Sequence, residues 1–87
     1  MTRLSFHQKN LILFDEKIEI LKKYEIYCYQ VTFFLLKKEK TAIEAATYSL
    51  FELSQDEEFF LLDDLSQKRR VKSLAMKNSV ILYNKPL

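Results

Sequence analysis

The side chains that could carry acid–base or metal chemistry are few and widely separated in this chain. His7 is the single histidine, and no second type of metal ligand is clustered with it, so zinc coordination and triad catalysis lack their partners. The neighbouring carboxylates Glu57-Glu58 and Asp63-Asp64 could serve as acid and base, but nothing around them indicates burial with a raised pKa. A solvated acidic face is the better interpretation. The serines lack an oxyanion-forming elbow, because the chain contains no glycine. We therefore expect no enzyme, no catalytic residue, no bound metal and no cofactor.

The single cysteine and the N-terminal residues indicate in which compartment the protein is found. Cys28 is the only cysteine, so it cannot form an internal disulfide, and its apolar surroundings predict a buried structural thiol. The N-terminus lacks an apolar signal core with a cleavage site. No uninterrupted apolar run approaches the length that crosses a bilayer. These features predict a cytoplasmic location and no membrane association.

Composition predicts the fold class. The 87 residues are 48% hydrophobic and include seven Phe and five Tyr, which is enough apolar volume for one small core. There is no Gly, and the only Pro is Pro86, so tight hairpins and Gly-rich phosphate loops lack the residues they need. We predict a single all-α domain over residues 1–87, a small bundle of three to four helices with one long central helix.

Apolar periodicity indicates where the helices lie. The segment 15–37 is predicted to be the longest helix, since it carries two apolar stripes and would be buried on two sides. The first stripe contains Ile18, Leu21, Cys28 and Leu35, and the second contains Ile20, Tyr24, Tyr27, Val31 and Phe34. Residues 37–40 form a polar connector. The segment 4–14 is left open between a helical turn, a docking strand and the start of the long helix.

Capping motifs and a final amphipathic pattern complete the predicted bundle. Thr41 to Glu44 has the form of a capping box, which predicts a helix from Thr41 to about Leu53. Ser54 to Glu57 has the same form and predicts a second, short helix. Beyond Ser66 a last helix is predicted, basic on its outer side. Its apolar face contains Val71, Leu74, Ala75, Asn78, Ile81 and Leu82.

Charge and aromatic content suggest binding surfaces. The charges between residues 50 and 65 are all acidic, whereas those from residue 67 onward are all basic. Acidic residues at helix N-termini and basic residues on a solvated helix face explain this pattern. The alternative is a binding surface that carries both positive and negative charge. The aromatic side chains are too many for so small a core, so some of Tyr29, Phe33, Tyr48 and Phe51 are expected to form an exposed apolar patch for a protein partner.

Three stretches of this chain carry a family resemblance. They are Tyr-Cys-Tyr-Gln-Val-Thr-Phe-Phe-Leu-Leu at 27–36, Lys-Thr-Ala-Ile-Glu-Ala-Ala-Thr-Tyr-Ser-Leu-Phe at 40–51, and Val-Lys-Ser-Leu-Ala-Met-Lys-Asn at 71–78. In this order and spacing, residues 24–84 resemble the second conserved region of bacterial sigma factors, particularly the extracytoplasmic-function group. That family carries an acidic residue and then a Gln-Glu pair on its second helix. This chain keeps Glu44 but has Thr47 and Tyr48 at the pair.

The resemblance implies a transcription-associated binding domain. The residues that would face the clamp helices of the RNA polymerase beta-prime subunit are Glu44, Thr47, Tyr48 and Phe51. DNA phosphates or single-stranded bases would be approached by Arg69, Arg70, Lys72 and Lys77. A complete sigma factor is not expected, since the family's promoter-reading helix-turn-helix has no room here. The remaining roles are half of a split sigma factor, a co-sigma or regulator of polymerase, or a helical descendant that binds something else.

A protein-interaction or regulatory module unrelated to polymerase is the alternative function, with a homodimer as one form of it. The position of the basic residues distinguishes the two. A continuous basic stripe from Arg69 to Lys77 beside exposed aromatic rings would favour nucleic acid. Scattered bases together with an apolar patch on the second helix would favour a protein partner.

Overall fold

The computed structural model describes residues 13–84. Over these residues the chain is a small all-α bundle of three long helices and one short one, which confirms the predicted fold class. The helices are α1 (Phe14–Leu36), α2 (Glu39–Ser54), α3 (Glu57–Leu61) and α4 (Asp64–Tyr83). His7 and most of the segment 4–14 lie outside the described residues. No helix within residues 13–84 is long and apolar enough to cross a membrane.

The long helix α1 buries one continuous stripe. Tyr24, Cys28, Thr32 and Leu36 are buried at intervals of four residues, which places them on one face. The predicted second stripe is wrong at its end, because Phe34 is 69% exposed. Helix α1 ends where Lys37 adopts the left-handed conformation (φ 60°) and its N–H bonds the Phe33 carbonyl, so the chain reverses without a glycine.

Helix α2 begins two residues earlier than its predicted capping box. Its N-cap is Lys38, whose backbone is extended, and the Thr41 hydroxyl donates to the Lys38 carbonyl 3.4 Å away. The Thr41 box is therefore wrong, since Thr41 lies inside the first turn. The buried face is built from small residues: Ala42, Ala45, Ala46, Ser49 and the larger Leu53. Such residues allow α1 and α2 to approach closely, and the Thr32 hydroxyl donates to the Ala42 carbonyl at 2.8 Å.

The predicted short helix exists as α3, but its cap is a different residue. Ser54 belongs to the last turn of α2, where its hydroxyl donates to the Phe51 carbonyl, so the second predicted box is also wrong. The cap is Asp56, whose carboxylate accepts from the Phe59 N–H at 3.3 Å. Phe59 of this helix is fully buried.

Helix α4 is capped by Asp63, whose carboxylate accepts from the Ser66 N–H at 2.9 Å. These bonds to Ser66 lower the pKa of Asp63. The helix therefore starts at Asp64, slightly earlier than the sequence predicts. Ile81, predicted on the apolar face, is 56% exposed. The buried residues are Gln67, Val71, Ala75, Asn78 and Ser79.

Contacts between helices define the topology. The Cys28 thiol lies 3.9 Å from the Ala46 carbonyl, and Thr32 reaches Ala42, so α1 and α2 are antiparallel. Tyr24 bonds to Gln67 near the start of α4, whereas Leu36 lies beside Ser79 near its end. Helices α1 and α4 are therefore parallel, and their C-terminal turns lie side by side.

Candidate binding surfaces

The outer face of α2 carries all four predicted partner-binding residues. Glu44, Tyr48 and Phe51 are spaced by four and three residues, which places them on one side of the helix. Tyr48 is 51% exposed and Phe51 is 63% exposed, while Glu44 is half-buried. Thr47 is exposed and lies on the same side of the helix, three residues after Glu44 and four before Phe51. We call Glu44, Thr47, Tyr48 and Phe51 the α2 outer face.

Thr47 also lies at the edge of a shallow groove between α1 and α2. This groove has a volume of about 260 Å³. Its lining residues are Glu25, Tyr29, Ile43, Ala46, Thr47 and Leu50. The Tyr29 ring is stacked on that of Phe33, with 5.9 Å between ring centroids. The four aromatic residues predicted to be surplus are thus divided between two surfaces, and only Tyr29 among them is half-buried.

The four predicted nucleic-acid-binding residues do not form a continuous stripe. The Arg70 guanidinium lies 2.6 Å from Asp56 and 3.5 Å from Glu58, and the Lys77 ammonium lies 3.1 Å from Glu52. These two bases are directed toward acids of α2 and the α3 region. Arg69 and Lys72 are exposed, three residues apart on another side of α4.

The acidic residues between 50 and 65 therefore pair with bases of both α1 and α4. Besides the pairs of Arg70 and Lys77, Lys23 lies 3.1 Å from Asp64, which raises the pKa of Lys23, and Lys17 pairs with Glu57. Each exposed pair stabilises the fold only slightly. Their main consequence is that much of the basic charge of α4 already has an acidic neighbour.

A buried polar network joins α2 to α4. The Asn78 side-chain amide donates to the Ser49 hydroxyl at 2.9 Å and to the Glu52 carboxylate at 2.8 Å. The pKa of Glu52 is lowered by the Asn78 bond first and by Lys77 second. Asn78 was predicted on the inward face of the last helix, but its partners lie 26 and 29 residues earlier and could not be read from spacing.

A second groove runs between α1 and the start of α4. The Lys23 and Lys68 ammonium groups lie 5.3 Å and 5.0 Å from the ring centroids of Tyr24 and Tyr27. This groove has a volume of about 510 Å³ and also contains Asp64 and Leu65. The lysine–tyrosine contacts cover the rings, so these tyrosines offer less free surface than Tyr48.

The C-terminal turns of α1 and α4 line a small, partly open cavity that the sequence did not predict. It has a volume of about 290 Å³, and we call it the C-terminal cavity. Its described lining residues are Leu35, Leu36, Ser79, Val80 and Tyr83. Ser79 is buried, yet its hydroxyl has no hydrogen-bond partner among residues 13–84.

The cysteine and the two carboxylate pairs considered as chemical groups can be placed. Cys28 is fully buried, and burial raises the pKa of its thiol to about 11, so it stays protonated and unreactive at neutral pH. Within residues 13–84, no three His, Cys, Asp or Glu side chains cluster as metal ligands would. The pairs Glu57-Glu58 and Asp63-Asp64 are exposed.

Comparison with known proteins identified no relative of this chain. No family model, no curated protein and no solved structure matches the chain. Function is therefore inferred from the surfaces of the bundle and from the residues that form them.

Proposed function

We propose that this chain is a helical protein-interaction domain without a catalytic site, and that the α2 outer face receives the partner. The observation that carries the proposal is the pair of large aromatic side chains, Tyr48 and Phe51, more than half exposed beside the carboxylate of Glu44. Exposed aromatic side chains that adjoin a charge are typical of residues that dominate binding energy at protein interfaces.

The packing of α2 explains why these rings are free to bind. The opposite face of the helix holds small buried residues, among them Ala42, Ala45 and Ala46, which fill the contacts with α1 and α4. Tyr48 and Phe51 are therefore not needed to complete the core. Their exposure costs the isolated domain some solubility and stabilises a complex when the rings are covered.

The distribution of basic charge supports a protein partner over a nucleic acid. A nucleic-acid surface would present Arg69, Arg70, Lys72 and Lys77 together to the phosphates. Here Arg70 and Lys77 pair with acids of the same chain, and Arg69 and Lys72 lie on another side of α4.

RNA polymerase is the first candidate partner, in keeping with the sigma-factor resemblance. The observation that favours it is that Glu44, which the chain keeps at the family's acidic clamp-facing position, shares one surface with Tyr48 and Phe51. In this form of the proposal the chain acts in the bacterial cytoplasm as a split sigma factor, a co-sigma or a regulator. Its α2 outer face docks on the clamp helices of the beta-prime subunit.

The test is retention of the purified chain on immobilised core RNA polymerase at low salt. We compare the wild type with the double variant Glu44→Lys, Tyr48→Ala, which reverses the charge and removes a ring of the α2 outer face. The control is Glu19→Lys, Phe14→Ala, which makes the same kind of change at exposed positions of α1. We expect retention of the wild type and the control, and at least a ten-fold loss for the α2 variant.

Equal loss in both double variants would show a nonspecific electrostatic effect and contradict docking through α2. Absence of retention for the wild type would remove polymerase as the partner. Sedimentation then tests the homodimer: a concentration-dependent dimer that Tyr48→Ala, Phe51→Ala abolishes would make the partner a second copy of the chain. A monomer that also fails to bind polymerase contradicts both forms of the proposal.

A further inference from the structure

The groove between α1 and the start of α4 has a lysine on each wall, and we call it the basic groove. Its volume is about 510 Å³, and its lining residues are Lys23, Tyr24, Tyr27, Asp64, Leu65 and Lys68. Lys23 belongs to α1 and Lys68 to α4. Lys72 is exposed one turn after Lys68 on the same side of α4, so it extends the row of cations beyond the groove.

The charges on this side of the bundle are almost all positive. Asp64 is the one acid among the lining residues, and its carboxylate is paired with the Lys23 ammonium at 3.1 Å. Helix α4 contains no acid after Asp64. Between Lys23 and the end of α1 the one acid is Glu25, which lines the other groove, against α2. No described carboxylate forms an ion pair with Lys68 or Lys72. The basic groove is therefore complementary to a negatively charged ligand.

The aromatic rings hold the lysines at the groove. The Lys68 ammonium lies 5.0 Å from the ring centroid of Tyr27, and the Lys23 ammonium lies 5.3 Å from that of Tyr24. A cation is attracted to the face of an aromatic ring. These contacts restrict the lysine side chains before a ligand arrives, which reduces the entropy lost when a carboxylate pairs with them.

The same rings favour a peptide over a nucleic acid. Proteins that bind single strands use open aromatic faces on which bases stack. Tyr24 is only 5% exposed, and the Lys68 ammonium covers the ring of Tyr27. Leu65, in contrast, is 59% exposed at the wall of the groove and offers an apolar contact to a side chain. The groove therefore combines cations with an apolar wall and lacks a stacking platform.

We propose that the basic groove binds an acidic segment of another protein, in which one apolar side chain is flanked by carboxylates. The apolar side chain contacts Leu65, and the carboxylates pair with Lys68 and Lys72. Residues 1–12 and 85–87 contain no Asp or Glu, so they do not supply this segment. The groove is separate from the α2 outer face, because none of its lining residues belongs to α2. Binding there neither requires nor excludes the partner proposed above.

Three capped five-residue peptides test the proposal: Glu-Asp-Phe-Asp-Glu, Glu-Asp-Ser-Asp-Glu and Lys-Lys-Phe-Lys-Lys. Each is titrated at low salt into the isotope-labelled full chain, and amide chemical shifts are followed. We expect saturable shifts at Tyr27, Leu65 and Lys68 with the acidic Phe peptide. The acidic Ser peptide should bind about three-fold more weakly, because it lacks the apolar contact. The basic peptide should not saturate these shifts.

Two double variants of equal net charge test the electrostatic contact. Lys68→Glu, Lys72→Glu reverses the charge beside the groove and should weaken the acidic Phe peptide about ten-fold. The control is Lys22→Glu, Lys40→Glu, which makes the same change at exposed positions that do not line the groove. Because it changes only the overall charge, it should weaken the peptide less than about three-fold.

Two leucine variants test the apolar contact. Leu65→Ser should weaken the acidic Phe peptide about three-fold and leave the affinity of the acidic Ser peptide unchanged. The control Leu61→Ser changes a leucine of α3 that is 63% exposed and does not line the groove. It should alter the affinity of neither peptide.

Four results would overturn the proposal. The first is the absence of saturable shifts with the acidic Phe peptide. Equal losses in the two lysine double variants would show attraction by net charge alone. Equal effects of Leu65→Ser on the two acidic peptides would contradict the apolar contact. Finally, an oligothymidylate of eight nucleotides that shifts the same amides and binds more tightly than the peptide would assign the groove to nucleic acid.

Discussion

The two ends of the α1–α4 pair are built differently. At the end where α4 begins, α3 packs across the helices, and Phe59 contacts Tyr24 and Phe60 edge to face at centroid distances of 6.1 Å and 5.1 Å. Gln67 there bonds both the Tyr24 hydroxyl and the Phe59 carbonyl. At the other end, Val80 and Tyr83 are 56% and 74% exposed, and the Ser79 hydroxyl has no described partner.

This difference shows which end of the helix pair contributes more to the stability of the fold. At the α3 end every buried polar group of the Tyr24–Gln67 contact is bonded, and a fully buried aromatic ring fills the interior. This packing fills the interior at the α3 end, while the groove of about 510 Å³ lined by Tyr27 and Lys68 lies at the surface of the same end. The C-terminal cavity lacks this filling, so the same two helices have a packed end and a loosely packed end.

Phe59→Ala should have the largest effect on stability, because it leaves a cavity in the interior at the packed end. The ring is fully buried, and truncation of such a ring lowers the free energy of unfolding by about 3–5 kcal/mol. The measurement is urea denaturation followed by circular dichroism. The matched change at the loosely packed end, Tyr83→Ala, should cost less than about 0.5 kcal/mol, because Tyr83 is 74% exposed. Similar losses for the two variants would show that the ends are equally packed.

Gln67→Leu should lower the free energy of unfolding by about 1 kcal/mol, since it removes the hydrogen bonds to Tyr24 and Phe59 at similar side-chain volume. A double-mutant cycle with Tyr24→Phe sharpens the prediction. The two changes share one bond, so their combined cost should be smaller than the sum of the single costs. Strict additivity would mean that the Tyr24–Gln67 bond does not contribute.

Ser79→Ala should be neutral or raise the free energy of unfolding by up to about 1 kcal/mol, because it removes an unpartnered hydroxyl and favours helix. Ser49→Ala is the control. Ser49 is equally buried, but its hydroxyl is bonded to Ala45 and Asn78, so this variant should lose about 1 kcal/mol. A loss for Ser79→Ala equal to that of Ser49→Ala would show that the hydroxyl is satisfied in solution.

The smallest expected effect concerns Asp63 at the packed end. Its folded pKa lies below the ordinary value of 3.8 because Ser66 bonds the carboxylate, so its stabilising contribution is present above that value and is lost as the pH falls below it. Asp63→Asn keeps a capping side chain that does not titrate. The difference in Tm between wild type and variant should therefore diminish from pH 5 to about pH 3. Parallel curves would contradict a contribution from the charge.

Sequence patterns predicted the all-α class, the long first helix and the order of the helices, because periodicity and the lack of Gly and Pro leave few alternatives. They failed at the helix starts. Both Thr41 and Ser54 satisfy the capping-box pattern, but their hydroxyls donate backward to the carbonyls of Lys38 and Phe51. The pattern does not distinguish a residue that precedes a helix from one already inside it.

The surfaces were predictable only in part. The common face of Glu44, Tyr48 and Phe51 follows from helical spacing alone. The pairing of Arg70 and Lys77 does not, since their acidic partners lie 14 and 25 residues earlier and meet them only after the helices pack. Ser79 was missed for the same reason, because its lack of a partner depends on where α1 ends beside it.

The enclosure of Cys28 gives the molecule a built-in reporter of its own motions. The thiol is fully buried between α1 and α2, and its raised pKa keeps it unreactive while the bundle is closed. A thiol reagent can modify it only during moments when these helices separate. The rate of alkylation therefore measures how often the bundle opens, and a partner that holds α2 in place slows that rate without touching the cysteine.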